Sequence, residues 1–556
     1  MEARRLQRRE FKVPRNEFIV PRCTTACPAG VDVPRYIRAV RDKRYDEAVS
    51  ILREKLPLPT VCADACFAPC EDVCAYRQLG EPIAIRAIKR AAMDKGGDAW
   101  KRNKQMASKT GKSVAVVGAG PAGLTTAYYL ASKGHDVTIF DSFQAPGGTM
   151  RYGIPDYRLP RERLDKDIRE ILALGVEFKG NTTIGKDLSL ARLKEDYDAV
   201  FIAAGTSANI KIPLEGSEKE GVLWGLDFLN DVALEKEVEV GENVVVIGGG
   251  NVAIDVALTS RRLGAKNVQL FCLEKREEMP AHEWEIDRAE EEGIFINNSW
   301  APKKVMGNER VTGLGLIRCT SVFDSACNFN PAYEEEISHK LDADQVILAV
   351  GQATDLSFLD KGSPIATGRG LVQVDQEGLT TNEKGVFAGG DVVNGPDSII
   401  GAIAHGRKAA AAMDRYLGGD GNIEESLAAP EEEVFLEEFV PDVKPRNEMR
   451  LLKPWQRASG FEQVERGLTD EQITAEASRC LNCDARKFEV ELNVENCKEC
   501  GYCAEVCGME VFGPADFFNA KGYRPEEIKS SNWCCGCFKC YFSCPDFAIG
   551  VKEVTE

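Results

Sequence analysis

The chain has 556 residues, with 70 basic and 88 acidic side chains and a formal net charge of −18. This length allows several domains with buried cores, and the acidic charge disfavours nucleic acid and anionic membranes as partners. The first ten residues lack the apolar segment of a signal peptide, and no apolar run approaches the roughly 20 residues of a membrane helix. We therefore expect a cytoplasmic protein that binds no nucleic acid and does not insert into a membrane.

The 20 cysteines are unevenly distributed: six lie in residues 23–74, eleven in residues 480–544 and three between those groups. Disulfide frameworks are typical of short secreted chains, whereas clustered cysteines in a long cytosolic chain indicate metal. The three central cysteines lie in apolar or loop contexts that are typical of packing residues. They are Cys272, Cys319 and Cys327.

The patterns along the chain predict an α/β protein with additional domains at both ends. Residues 1–112 combine helical patterns with six cysteines and end in a polar linker, which indicates a helical iron–sulfur domain. Residues 113–420 alternate short apolar runs with helical stretches, which predicts parallel sheets with crossover helices. Residues 421–485 are an acidic, proline-containing linker with a helical patch near its end, and residues 486–556 form a small cysteine-rich module.

The first nucleotide-binding pattern begins with the apolar run Ser113–Val117. This run leads into a glycine turn, a helix and a second strand that ends at Asp141. The glycines allow a tight turn and a close approach to pyrophosphate, while Asp141 can accept from ribose hydroxyls. The turn residues of the predicted site are Gly118, Gly120, Pro121, Ala122 and Gly123.

A second copy of the pattern begins at Asn243–Ile247, and its second strand ends at Glu274. A carboxylate at this position pairs with the ribose and repels a 2′-phosphate, which favours NAD(H) over NADP(H). Lys275 and Arg276 follow directly and would instead hold a 2′-phosphate, unless they are solvated loop residues. The turn residues of this predicted site are Gly248, Gly250, Asn251, Val252 and Ala253.

A third element, residues 385–391, completes the pattern expected for a flavin site. Gly390 precedes Asp391, which can bind a ribityl or pyrophosphate-side group, and a long helix follows. The runs at residues 198–209 and 343–355 are typical of strand-and-glycine turns where two nucleotide domains join.

Six segments carry a family resemblance: CTTACPAGVDVP, ACFAPCEDVC, VVGAGPAGL, PGGTMRYGIPDYRLP, VVVIGGGNVAIDVA and VFAGGD. With these segments, residues 20–420 resemble the glutamate synthase small-subunit family of flavoproteins. The resemblance implies that residues 146–160 wrap an FAD. The implied contacts lie near Gly148, Thr149, Arg151 and Ile154.

The family fold implies that an NAD(P) domain at residues 211–335 is inserted into an FAD domain formed by residues 113–210 and 336–420. Both domains are expected to be Rossmann-like. Related disulfide reductases carry a redox CxxC pair in the middle of the chain, and this sequence has none there. Electrons must therefore leave the flavin by another route.

Related family members hold two [4Fe–4S] clusters at the N-terminus and use a first run of four cysteines, of which this chain keeps two. Six thiols cannot fully ligate two cubanes, so the resemblance implies one cluster, with buried free thiols as the alternative. Its expected core ligands are Cys27, Cys66 and Cys70. Its fourth ligand is expected to be Cys23, Cys62 or Cys74.

Residues 486–556 have the cysteine spacing of a two-cluster bacterial ferredoxin, an α+β fold. In this pattern three close cysteines bind one cubane and a fourth crosses to the other, whereas zinc needs two ligand pairs. One cluster is predicted to bind Cys497, Cys500, Cys503 and Cys544. The other is predicted to bind Cys534, Cys537, Cys540 and Cys507, and the surplus Cys535 is predicted not to ligate.

Cys480 and Cys483, in the sequence RCLNC, match neither ferredoxin run. We hypothesise that they fold back and complete a second N-terminal cluster with Cys23 and Cys74. Two thiols are missing in the N-terminal region and two are surplus here.

These sites predict an enzyme, an oxidoreductase that passes electrons between NAD(P)H and iron–sulfur clusters or ferredoxin through FAD. The C-terminal module also resembles the ferredoxin subunits of 2-oxoacid:acceptor oxidoreductases. That resemblance implies catalytic subunits of such a complex as partners, with soluble ferredoxin as the second choice. The alternatives are a glutamate synthase small subunit, an electron-bifurcating transhydrogenase subunit and a non-catalytic cluster scaffold, against which the intact glycine turns argue.

Overall fold

The computed structural model describes residues 10–359, 362–441 and 443–555 of the chain. The expectation that no signal peptide is present concerns residues 1–9, which lie outside these ranges. Among the described residues, no helix combines the length and the apolar character needed to cross a bilayer.

The N-terminal region is helical, as predicted. Its elements are β1 (Glu10–Pro14), α1 (Arg22–Thr25), α2 (Val33–Arg41), α3 (Tyr45–Arg53), α4 (Pro59–Ala65), α5 (Pro69–Asp72) and α6 (Ile85–Lys95). The side chain of Asp32 accepts a hydrogen bond from the backbone N–H of Arg35 and so caps α2. Lys43 takes a left-handed φ of +60° and separates α2 from α3 within a continuous helical pattern.

The first nucleotide-binding pattern folds into alternating strands and helices. These are β2 (Ser113–Val117), α7 (Pro121–Ser132), β3 (Asp136–Phe140), α8 (Thr149–Tyr152), α9 (Arg161–Leu172), β4 (Glu177–Lys179), α10 (Leu190–Asp196), β5 (Ala199–Ile202) and β6 (Ala208–Asn209). Four of the five β2 residues are buried, as is typical of a strand covered on both faces.

The second pattern contributes a further set of elements. These are β7 (Val222–Trp224), α11 (Gly225–Ala233), β8 (Asn243–Ile247), α12 (Asn251–Arg262), β9 (Asn267–Cys272), α13 (Glu283–Glu291), β10 (Phe295–Asn298), β11 (Trp300–Met306), β12 (Gly313–Phe323), β13 (Phe329–Asp342) and β14 (Gln345–Leu348). The chain then returns through β15 (Gln352–Ala353), β16 (Thr367–Gly368), β17 (Leu371–Val372), β18 (Val386–Ala388), α14 (Asp391–Asn394) and α15 (Ile399–Tyr416).

The C-terminal part contains short elements. These are β19 (Glu433–Glu437), α16 (Pro454–Arg457), α17 (Asp470–Ala477), β20 (Phe488–Leu492), α18 (Tyr502–Val506), β21 (Phe512–Pro514), β22 (Glu526–Ile528), α19 (Lys539–Ser543) and β23 (Ile549–Glu553). Short 3-10 turns lie at Arg15–Glu17, Ala75–Gln78, Ala99–Arg102, Arg276–Glu278 and Ser531–Trp533.

Two parallel five-stranded sheets confirm the predicted α/β class. The first has the strand order β18–β5–β2–β3–β4, and the second has the order β10–β9–β8–β14–β7. All strands of the second sheet come from the chain between β6 and β15, and these two short strands pair with each other antiparallel. A three-stranded antiparallel sheet, β11–β12–β13, accompanies the second sheet.

The largest apolar core joins the N-terminal helices to the first sheet. Ile37 of α2, Val61 of α4, Tyr129 of α7 and Ile403 of α15 all belong to it. The C-terminal module that is predicted to be ferredoxin-like, residues 486–556, pairs β20 with β23 and β21 with β22, and both pairs are antiparallel. β1 pairs with β19, which ties the N-terminal region to the C-terminal part.

Candidate functional site

The glycine turn after β2 has no room for side chains. Gly118 takes φ +105°, and a Cβ placed there would lie 2.3 Å from the carbonyl oxygen of Ala203. A Cβ on Gly123 would lie 2.0 Å from the carbonyl oxygen of Gly118, so α7 packs directly on the turn. Gly120 faces open space at the start of α7. The helix N-terminus is therefore open to an anionic ligand.

Asp141 stands at the end of β3 and is held by the turn itself. Its carboxylate accepts hydrogen bonds from the backbone N–H groups of Ala119 (2.7 Å) and Phe143 (2.9 Å). Burial raises the pKa of Asp141. A carboxylate offers about four acceptor positions, so Asp141 retains capacity for ribose hydroxyls.

The loop at residues 146–154 lies directly against this turn. The backbone N–H of Gly147 donates to the carbonyl of Ala119 at 2.9 Å. Gly148 has φ +51°, and a Cβ on it would lie 2.8 Å from the Cα of Gly120. The predicted wrapping segment and the glycine turn therefore form one continuous cradle.

Of the four residues implied to contact FAD in this loop, three line the large cavity described below: Gly148, Thr149 and Ile154. Arg151 points elsewhere. Its Nε donates to the carbonyl of Pro146 at 2.7 Å, and its guanidinium pairs with Asp165. A role of Arg151 in holding the loop follows from these bonds.

Asp391, the first residue of α14, faces the same cavity, as does Gly390. Burial raises the pKa of Asp391 to about 6, with a further contribution from Asp397. The hydroxyl of Thr206 donates to Gln352 at 3.1 Å and lies 3.5 Å from Asp391. Thr206 and Gln352 are lining residues that the sequence analysis did not name, although both lie in the two predicted junction turns.

The second glycine turn repeats the geometry of the first. Gly248 has φ +141°, and a Cβ there would lie 2.2 Å from the carbonyl oxygen of Ala349. Gly250 precedes α12 and faces open space. The carboxylate of Glu274 lies against the turn, since a Cβ on Gly249 would be 2.6 Å from its Oε2 atom.

The basic pair after Glu274 is engaged by carboxylates. Lys275 lies 3.4 Å from Glu278, and Arg276 lies 2.7 Å from Asp287. Glu274 lines the cavity, whereas Lys275 and Arg276 are absent from its wall.

One cavity of about 1090 Å³ connects the two glycine turns. Its wall contains residues of both turns and the two acids that follow the second strands, Asp141 and Glu274. Asn251 and Val252 also line it. Ala65 and Phe67, the neighbours of Cys66, also line it. The cavity therefore joins the two glycine turns to the residues on either side of Cys66.

The N-terminal cysteines divide into two groups of neighbours. Cys62 and Cys66 lie on and at the end of α4, Cys70 lies in α5, and Cys27 is nearby. Burial would lower the pKa of the buried Lys89, but the surrounding Cys66, Cys62, Cys70 and Cys27 outweigh burial and raise it. These four cysteines therefore surround Lys89 and form one group.

The second group surrounds a separate cavity of about 40 Å³. Its wall contains five cysteines from distant parts of the sequence: Cys23, Cys74, Cys480, Cys483 and Cys534. Of these, only Cys534 belongs to a ferredoxin-type cysteine run.

The ferredoxin-like module brings its cysteine triplets into two neighbourhoods. Burial raises the pKa of Cys503 to about 12, with contributions from Glu526 and then from Cys497 and Cys500. Burial also raises the pKa of Cys540 to about 12. The further contributions to that shift come from Cys534, Cys537 and Cys507.

Cys544, the predicted fourth ligand of the first triplet, packs in the same apolar core and accepts a hydrogen bond from the backbone N–H of Ala548 at 3.3 Å. No three ligating side chains in the described ranges converge tightly enough for a single metal ion. A cubane spreads its ligands more widely, because each thiolate binds a different iron.

Two family models match the chain. The model described as "Pyridine nucleotide-disulphide oxidoreductase" matches residues 112–406, and the model described as "Dihydroprymidine dehydrogenase domain II, 4Fe-4S cluster" matches residues 18–100.

Three relatives illustrate the range of similar proteins. The "NADP(+)-dependent formate dehydrogenase subunit beta" of Moorella thermoacetica is 37% identical, over 84% of this chain and 71% of the relative. The "NAD-dependent dihydropyrimidine dehydrogenase subunit PreT homolog" of Salmonella typhi is 33% identical, over 71% of this chain and 91% of the relative. The "Glutamate synthase [NADPH] small chain" of Escherichia coli is 33% identical, over 71% of this chain and 89% of the relative.

Proposed function

The chain belongs to the pyridine nucleotide-disulphide oxidoreductase family, and we propose that it is the nicotinamide-reactive subunit of a larger redox complex. The predicted resemblance to glutamate synthase small chains is confirmed, as is the prediction of an electron-transfer oxidoreductase with a nucleotide domain and a [4Fe–4S] domain. We propose the domain division 1–112, 113–210 with 336–420, 211–335, 421–485 and 486–556. Within it, β13 and β14 extend the nicotinamide-type unit beyond residue 335, because β14 pairs with β7 and β8.

The observation that carries this proposal is the continuous cavity that joins both glycine turns and reaches the residues beside Cys66. When bound, FAD supplies the exchange between a two-electron hydride and single electrons for iron–sulfur clusters. Gly120 and α7 would hold its pyrophosphate and Asp141 its ribose. Asp391 would contact the ribityl side.

The chain's own residues position the two nucleotides and need no covalent chemistry. The turn at Gly248 and Gly250 would place a nicotinamide nucleotide at the opposite end of the same cavity. Thr206 and Gln352 both line the cavity, and the hydroxyl of Thr206 donates to Gln352 and lies 3.5 Å from Asp391.

The test is anaerobic mixing of the FAD-loaded protein with NADH or NADPH while flavin absorbance is followed. Bleaching of the flavin by either nucleotide supports the proposal. A flavin that neither nucleotide bleaches would support the non-catalytic scaffold instead.

Within this function we propose NADH as the preferred nucleotide. Glu274 stands against the turn at Gly249, where a 2′-phosphate would meet a like charge. Lys275 and Arg276 are already paired with carboxylates. Faster flavin reduction by NADPH than by NADH would contradict this preference.

For the partner we propose the catalytic subunits of a 2-oxoacid oxidoreductase, with soluble ferredoxin second. The support is the resemblance of the C-terminal module and its exposed surface. Cys500 is exposed, and the side chains of Phe518, Phe542 and Phe547 are 70%, 81% and 84% exposed. Exposed aromatic groups of this kind are typical of interaction surfaces.

Anaerobic purification of the chain from its natural host, followed by identification of co-purifying proteins, tests the partner. Recovery of 2-oxoacid oxidoreductase subunits supports the proposal. Recovery of a formate dehydrogenase, a glutamate-forming subunit or a second flavoprotein would replace it with the corresponding alternative.

A further inference from the structure

We propose that Cys23, Cys74, Cys480 and Cys483 together bind one [4Fe–4S] cluster that is assembled from both ends of the chain. This inference rests on the proposed function as an iron–sulfur electron carrier, and it deepens that function by adding a cluster site. Cys480 and Cys483 lie outside residues 18–100, the segment matched by the iron–sulfur family model.

The four thiols share one small chamber. All four line the same cavity of about 40 Å³, which exceeds the space of a single water. The remaining wall is mainly apolar and includes Ile19, Val33, Ile37, Ile83 and Ile85. A fifth cysteine of the wall, Cys534, belongs to a ferredoxin-type run. The other four thiols are the donor set of a [4Fe–4S] cluster.

The segment that carries Cys480 and Cys483 is fixed to the N-terminal helices by buried ion pairs. Both guanidinium nitrogens of Arg38 bond the carboxylate of Asp484, at 2.8 and 2.7 Å, in a bidentate arrangement. The side chains of Arg38 and Asp484 are only 2% and 4% exposed. Such a pair is costly to desolvate and needs accurate geometry, so it holds the segment in one position.

A second anchor lies one helical turn before the cysteines. Arg479 bonds Glu476 at 2.5 Å and the carbonyl of Glu81 at 2.7 Å. The same Oε1 atom of Glu476 also accepts from the backbone N–H of Ala84 at 2.8 Å. These bonds hold α17 and the following cysteines against residues 81–84, the segment that follows Cys74 and leads into α6.

Alternative uses of the four thiols fit less well. All four are free cysteines, so no disulfide joins them. The described residues contain no group that converges on one point as zinc ligands do. The other four N-terminal cysteines do not line this chamber, which leaves its thiols as a separate group. They are Cys27, Cys62, Cys66 and Cys70.

The proposed cluster site lies between the other N-terminal cysteines and the C-terminal module. Trp533 and Cys534 line the same chamber, and Cys534 is a predicted ligand of the ferredoxin-like module. Cys483 packs against the apolar core of that module, which contains the surplus Cys535. The shared cluster therefore lies between the thiol group beside the flavin-side cavity and the ferredoxin-like module.

The test uses three variants of the full chain: Cys23→Ala/Cys74→Ala, Cys480→Ala/Cys483→Ala and the combined quadruple variant. Four clusters correspond to about sixteen iron atoms per chain. Each double variant and the quadruple variant should lose the same number, about four, because all remove one shared cluster. The matched control Cys319→Ala/Cys327→Ala removes two cysteines outside the groups and should lose none.

Unchanged iron in Cys480→Ala/Cys483→Ala overturns the inference, as does additive loss in the quadruple variant or one zinc ion in place of the missing iron. FAD content and flavin bleaching by NADH, measured on the same samples, report folding and the proposed function separately. Should the double variants fail to fold, the low-temperature EPR spectrum of dithionite-reduced Cys480→Ser/Cys483→Ser decides: an unaltered spectrum contradicts the shared cluster.

Discussion

The two nucleotide-binding halves are attached to the rest of the molecule in different ways. The flavin-type half shares one apolar core with the N-terminal helices. The nicotinamide-type half has a separate core, to which Tyr157 and Val464 contribute from outside, and it is also held by ion pairs: Arg158 bonds Asp255 and Glu285, each at 2.6 Å. Both attachments therefore combine apolar packing with ion pairs, but only the flavin-type half shares one continuous core with the N-terminal helices.

Adding a side chain to the first glycine turn should cause the largest loss of FAD binding and of stability. Gly118→Ala forces φ +105° on a residue with a Cβ and places that Cβ against Ala203. We expect loss of FAD and a destabilisation of about 3 kcal/mol or more, measured by bound flavin and by denaturant unfolding. Gly460→Ala, at a glycine that faces open space, is the control. Normal flavin content in Gly118→Ala would contradict the tight turn.

Loss of Glu465 should weaken the attachment of the nicotinamide-type half. Glu465 bonds Arg86 at 2.7 Å and Arg288 at 3.0 Å, so it links α6 to α13. We expect Glu465→Gln to cost about 3 kcal/mol in unfolding, because two buried guanidinium groups lose their partner. An unchanged unfolding midpoint would show that these ion pairs do not hold the half in place.

The same carboxylate predicts an acid dependence. Burial alone would raise the pKa of Glu465, but Arg86 and Arg288 outweigh burial and lower it to about 2. Its contribution is therefore complete above the unfolded value, about pH 4.3, and is lost as the pH falls towards 2. The difference in the free energy of unfolding between wild type and Glu465→Gln should become smaller below about pH 4. A difference that does not change with pH would contradict the lowered pKa of Glu465.

The nucleotide preference should respond to Glu274 and not to its basic neighbours. In Glu274→Gln the ratio of NADPH to NADH rates should rise about tenfold, or ~1.4 kcal/mol, because the charge facing a 2′-phosphate is removed. Stopped-flow flavin reduction measures this ratio. Lys275→Gln/Arg276→Gln should leave the ratio unchanged, and a fall in that variant would show that the basic pair binds the phosphate.

The smallest expected effect is a shift in the reduction potential of the cluster proposed at the four cysteines around Lys89, beside the flavin-type half. Lys89 is buried among four cysteines, and its positive charge should favour the reduced, more negative cluster. Lys89→Met should lower that cluster's potential by about 59 mV, a tenfold change for one electron. Redox titration followed by EPR measures it, with Lys89→Arg as the charge-conserving control.

Local spacing made much of this molecule predictable. The glycine turns, the parallel sheets and the ferredoxin-type triplets are each encoded within a few dozen residues, because turn geometry and strand alternation are local properties. The sequence could not show that Arg151 turns to Asp165, nor that Thr206 bonds Gln352. Those contacts depend on packing between elements far apart in the chain.

The same limit explains the N-terminal cysteines. Counting thiols suggested that Cys480 and Cys483 belong with Cys23 and Cys74, since both pairs lacked partners. Counting could not assign Cys62 to the group of Cys66 and Cys70, because that depends on how α4 and α5 fold against each other.

The short ladder between β6 and β15 has a consequence for how this architecture is built. The chain leaves the first sheet at Ala208–Asn209 and returns at Gln352–Ala353, and these two crossings lie side by side as paired strands. For the strand order of the first sheet, residues 210–351 are equivalent to one long hairpin loop. The intervening unit could be enlarged, trimmed or exchanged for another without altering a single strand pairing in the sheet that carries the flavin-type turn.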